Sequence, residues 1–62
     1  MIEPTNEDIG RAVNYVGNRY VGGEIERGVI ISFSTNYVFV RYGSDRISKA
    51  TRRVDLEWSE PR

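Results

Sequence analysis

The sequence predicts an all-β fold, a small five-stranded barrel with a short N-terminal helical turn, and three observations point to it. Residues 28–42, GVIISFSTNYVFVRY, are rich in β-branched and aromatic residues on either side of Ser34-Thr35-Asn36, the pattern of two strands folded back through a turn. Turn chemistry recurs at residues 17–23, with three glycines, and at Gly43-Ser44-Asp45-Arg46. Finally, 62 residues leave room for one core only, and a sheet this small must curl to bury anything.

The elements follow in order. Residues 4–10, PTNEDIG, read as one helical turn: Thr5 can accept from the backbone at Asp8, acids occupy the first turn, and Gly10 gives a permissive exit. Such a turn cannot stand alone and is expected as a lid on one end of the barrel. Residues 11–16 alternate as a first strand, with Val13 inward and Tyr15 as a further candidate. Residues 17–23, which include Asn18, Arg19, Tyr20 and Val21, are expected as a mobile loop, a common setting for binding residues. The second strand covers residues 24–33; its length calls for a bend, which Gly28 would allow.

Pairing Phe33 with Val38 fixes the central hairpin, because a slip of one residue exchanges the two faces. A plain register turns Val29 and Ile31 inward; a bulge near Ile31-Ser32 turns Gly28 and Ile30 inward and keeps Phe33 there. Either way Val38 and Val40 face in, and Phe39 and Arg41 face out. Residues 47–51 form the fourth strand, and placing Ala50 against Val40 sets Lys49 opposite Arg41 and Thr51 opposite Phe39. Facing like charges are mildly destabilising, and an anion nearby would relieve them. Residues 52–55 read as a 3₁₀ turn capped by Thr51, Leu56-Glu57-Trp58 as the last strand, and residues 59–62 as a fraying end.

Composition bounds the function. The chain contains neither cysteine nor histidine, so no disulfide, thiolate metal site, Ser-His or Cys-His nucleophile can be built. Glu24 and Glu26 share a strand face but lie beside glycines on an edge, where carboxylates are solvated. A non-catalytic protein without a cofactor is expected. The first twenty residues hold no apolar run of signal-peptide length, and no stretch approaches the roughly 18 apolar residues of a membrane span; the expectation is a single soluble domain, residues 1–62, in the cytoplasm. Net charge is zero, yet residues 27–53 hold six bases and one acid, against five acids and two bases before them and three acids and one base after. Acidic and basic segments could neutralise each other across the barrel, or the basic segment could meet an anionic partner.

Five short strands, with a long bent second strand beginning Gly28-Val29-Ile30, a third Tyr37-Val38-Phe39-Val40-Arg41-Tyr42, and one turn before Asp55-Leu56 resemble the Src-homology-3-like (SH3-like) small barrels, nearer the Tudor and ribosomal KOW type. The segments Ile9-Gly10-Arg11, Gly28 to Phe33, Val38 to Gly43 and Ser48 to Arg53 also resemble small uncharacterised proteins of tailed bacteriophages and prophages. The first resemblance implies the fold and says little of function, because such barrels host unrelated activities; it also favours the bulged register, with Ile30 inward. A Tudor domain reading methylated side chains needs an aromatic cage and an acid. Tyr15, Tyr20, Tyr37, Tyr42 and Trp58 could supply rings and Asp45 or Glu57 the acid, but the sequence does not bring three rings together.

The functional expectation is an interaction module that binds a protein through an exposed aromatic and basic face made of Tyr37, Phe39, Arg41, Lys49, Arg52 and Arg53. The alternative is a barrel binding single-stranded DNA or RNA through the same residues, with Phe39 as a stacking ring. No membrane or small-molecule substrate is expected, and the chain is expected as a monomer or weak homodimer.

Overall fold

A computed structural model describes residues 1–17, 23 and 25–60. Its elements are a 3₁₀ turn η1 (Asn6–Asp8), strands β1 (Ala12–Tyr15), β2 (Glu26–Phe33), β3 (Tyr37–Tyr42) and β4 (Lys49–Arg52), a 3₁₀ turn η2 (Arg53–Asp55) and strand β5 (Leu56–Trp58). The strands make one antiparallel sheet in the order β4-β3-β2-β1-β5. That order leaves β4 and β5 as the two edges, so the expected closed barrel is corrected to an open sheet. The connection between the edges is η2, three residues long. β1 and β2 are shorter than expected by one or two residues at an end, β4 starts two residues later and ends one later than expected, and the expected loop falls mostly on residues 18–22, outside the described residues.

The hairpin adopts the bulged register. Ile30 pairs with Val40 and Ser32 with Phe39, so Ile31 is the extra residue of β2. Gly28 and Ile30 are buried, Phe33 packs on the core from its edge, and Ile31 is exposed. The backbone of Ile30 is held on its other side: its N–H donates to Arg11 O at 3.1 Å and its carbonyl accepts from Gly10 N at 2.8 Å. Val13, Val38, Val40 and Leu56 complete the centre of the core, joined by Ile2 and Tyr42. Each of these large side chains contributes about 2 kcal/mol through burial.

The N-terminal turn forms where expected, with Thr5 accepting from the Asp8 N–H through its carbonyl at 2.9 Å and the Asp8 side chain bonding back. Asp8 accepts from the Thr5 N–H at 2.8 Å and from the Thr5 hydroxyl at 3.2 Å, and its other oxygen meets Arg11 Nε at 3.0 Å. These contacts satisfy a carboxylate that is only 2 % exposed. Ile2, which precedes the turn, joins the core through a bond from its N–H to Arg53 O at 3.2 Å. At the far end, Ser59 still donates to Ala12 O at 3.2 Å, so the ordered chain continues past β5.

Gly28 permits a close approach. A methyl group on it would lie 2.5 Å from Val40 Cγ1 and 2.9 Å from both Arg41 O and Tyr42 Cδ1. The backbone oxygen cannot swing aside as a side chain can. Gly28→Ala should therefore lower stability by about 1–3 kcal/mol, read as a reduced urea midpoint at unchanged slope, whereas Gly10, with φ +94° and open space around it, should resist alanine through backbone strain alone.

Candidate functional site

Two surfaces are built from alternate residues of β3. The outer one carries Tyr37, Phe39 and Arg41, which point away from the Val38-Val40-Tyr42 side that enters the core. Across the strand pair, Arg52 stands opposite Tyr37 and Ala50 opposite Phe39. Phe39 was expected to be exposed and is half-buried, while Arg41 is exposed and, among the described residues, has no ion-pair partner. Tyr37 is 43 % and the bulge residue Ile31 39 % exposed, extending the apolar part of this surface.

The expected register of β4 is off by one residue. Lys49 pairs with Val40, Ala50 with Phe39 and Thr51 with Val38. Thr51 thus turns inward, where its Oγ1 lies 2.9 Å from the Tyr42 hydroxyl and donates to Lys49 O at 3.3 Å. A buried hydroxyl with two partners costs little, so Thr51 takes the inner place that the sequence reserved for Ala50. Lys49 moves to the opposite side from Arg41 and faces Asp45 instead, at 3.9 Å. The expected like-charge pair does not exist, and with it goes its need for an anion.

The remaining two bases are committed. Arg52 Nε lies 3.0 Å from Asp55 Oδ2, and it is Arg52, not Thr51, that precedes η2, with no side-chain cap. Arg53 donates from Nη2 to the carbonyl of Ser34 at 2.7 Å, tying η2 to the tip of the hairpin. It borders the outer face where a shallow hollow opens among Met1, Asn36, Tyr37 and Val54. Of the six residues expected on one face, Tyr37, Phe39, Arg41 and Arg52 share it, Arg53 lies at its end, and Lys49 is elsewhere.

The second surface is a cleft of about 350 Å³ lined by Tyr15, Glu26, Tyr42, Lys49, Thr51 and Asp55, together with Ala50 and Arg52 of β4. Tyr15 and Glu26 are directly opposite each other on β1 and β2, so their side chains share a face. The Tyr15 and Tyr42 rings meet edge to face, with centroids 6.2 Å apart and planes at 83°. These are the two cage candidates that the structure brings together. Tyr37 lies on the outer face, Trp58 packs beside Val13 on β5, and Tyr20 and Glu24 are outside the described residues. The acids at the cleft are Glu26 and Asp55 rather than Asp45 or Glu57, and no sequence signal tied them to the rings.

Among the described residues no group of three His, Cys, Asp or Glu could hold a metal ion, and no helix is long and apolar enough to cross a membrane. Comparison of the chain with protein-family models, curated proteins and solved structures finds no match.

Burial is the largest cause lifting the Tyr42 phenol above its ordinary value; the Thr51 hydrogen bond opposes the rise, and the negative charge of Glu26, with smaller effects from Tyr15 and Asp55, adds to it. An unfolded tyrosine loses its proton near pH 10 while folded Tyr42 keeps it, so the folded state binds more protons and stability falls as pH rises through and above that value. Tyr42→Phe should remove this share of the alkaline loss while costing about 1 kcal/mol at neutral pH. Urea midpoints at neutral and alkaline pH, with phenolate absorbance recorded alongside, check both outcomes.

Proposed function

We propose that this chain is a non-catalytic interaction module that docks on a protein partner through the outer face of β3 and β4. We further propose that the open sheet is an SH3-like fold of the Tudor or KOW type whose barrel is left unclosed between β4 and β5, that it is of phage or prophage origin, and that it acts in the cytoplasm. The long bulged β2 and the 3₁₀ turn ahead of the last strand support the fold assignment, since these are the features on which the resemblance rests.

The observation that carries the functional reading is Arg41, exposed and without an ion-pair partner among the described residues, beside Phe39 and Tyr37 on one flat face. Aromatic rings flanked by arginine and exposed apolar side chains are the composition of protein interface hot spots. Phosphate binding gains its strength from several cations acting together. Here Lys49 is turned away, Arg52 is held by Asp55, and the whole chain has no net charge. Arg41 alone among the face's bases is uncommitted, which favours a protein over single-stranded nucleic acid.

A photo-crosslinking side chain at Ala50, exposed at the middle of this face, should capture one protein reproducibly from nuclease-treated lysate. Reconstituted with that purified protein, Arg41→Ala and Tyr37→Ala should each weaken binding by about tenfold or more with the urea midpoint unchanged; these residues are exposed, unlike Phe39, whose removal would mix folding with binding. Binding untouched by both substitutions, or oligonucleotide binding that fades steeply with salt and depends on Arg41, would overturn the reading.

A further inference from the structure

We propose that the cleft between Tyr15, Tyr42 and Glu26 is a second binding site, for a compact organic cation: an unmethylated ammonium or guanidinium head on an aliphatic stem. Its lining includes Ala50 and Arg52, which also belong to the outer face, but Tyr15, Tyr42 and Glu26, on which it depends, take no part in the outer-face reading, so either can fail without the other.

Three observations carry it. The two rings stand nearly perpendicular, 83° apart at 6.2 Å, and form a corner whose ring faces are electron-rich and attract cations. The corner is held in place beforehand. Tyr42 is 8 % exposed and anchored to Thr51 Oγ1 at 2.9 Å, while Gly17 lies so close behind Tyr15 that a methyl group there would come within 2.5 Å of the phenol oxygen. A preformed site loses less freedom on binding.

The charges of the cleft select the sign of the guest. Lys49 is matched by Asp45 and Arg52 by Asp55. Glu26 is the lining charge that no ion pair among the described residues neutralises, so the cleft attracts a cation and repels an anion. The same carboxylate contributes to the upward shift of the Tyr42 phenol, which places its field on the ring.

Geometry also selects the head group. A quaternary ammonium offers no N–H and is best enclosed by ring faces, whereas this cleft has two rings and a carboxylate rim. A head with N–H donors gains a charge-assisted hydrogen bond to Glu26 that a methylated one forgoes. The volume, about 350 Å³, lies at the small end of ligand clefts, which run from about 300 to 1,000 Å³, and suits one side chain or a short amine.

The test is an amide-shift titration of the whole chain with Nα-acetyl-lysine methylamide, the corresponding arginine compound, putrescine, tetramethylammonium and the uncharged norleucine compound. Saturable shifts at Tyr15, Glu26 and Tyr42 are expected with the first three and not with norleucine. Response to the two amino-acid compounds above putrescine identifies a partner's side chain as the source; the reverse identifies a free amine. Glu26→Gln, at an exposed position, should weaken binding about fivefold and Tyr15→Leu about tenfold. No saturable shift with any cation, an equal response to norleucine, tighter binding of tetramethylammonium, or indifference to Glu26→Gln would each overturn the proposal.

Discussion

One extra residue in β2 governs everything the rest of the molecule does. Because Ile31 is inserted opposite the Val40-Phe39 step, the strand changes face partway along. Gly28 and Ile30 can serve the core on one side of the insertion, and Phe33 can serve it on the other. Without it, Ile31 and Val29 would compete for the interior and Phe33 could not reach the core together with Ile30. The insertion is held by the two backbone bonds from Ile30 to Gly10 and Arg11, so the segment following η1, far away in sequence, takes part in fixing the register of the hairpin.

Strand β3 then distributes the chemistry. Its even residues Val38, Val40 and Tyr42 enter the interior, and its odd residues Tyr37, Phe39 and Arg41 face outward. Tyr42 stands at the boundary: its ring lies over Gly28 and against Tyr15, and its hydroxyl finds Thr51. A single side chain thereby closes the core, positions β4 and walls the cleft. The outer face is formed by the same alternation, so the two surfaces cannot be shifted independently. A slip in β3 would exchange them.

Much of this was legible from residues alone. The hairpin turn, the inward valines and the short turn before Leu56 follow from side-chain alternation and from turn chemistry, which are local properties; alternation left Val29 and Ile31 as eligible for the interior as Gly28 and Ile30, and it was the resemblance that favoured the latter pair. The placement of β4 was not. Ala50 and Thr51 are both small, and hydrophobicity alone favours the alanine inside; the choice depends on a tyrosine hydroxyl nine positions earlier, a partner that no local rule reveals. That slip carried Lys49 off the expected face. Asp8 escaped for the same reason: an acid in a first turn reads as solvated, and the convergence of Thr5 and Arg11 helps it to be buried. The cleft assembles from four strands and η2, so its composition depends on the tertiary arrangement rather than on any contiguous motif.

The open order of the sheet has one more consequence. β4 is an outer strand whose free side could template another strand, the route by which small β proteins assemble into fibres. Its four residues include Lys49 and Arg52, both exposed. Long charged side chains on an outer strand are a device by which β proteins discourage a flat second strand from aligning along the edge.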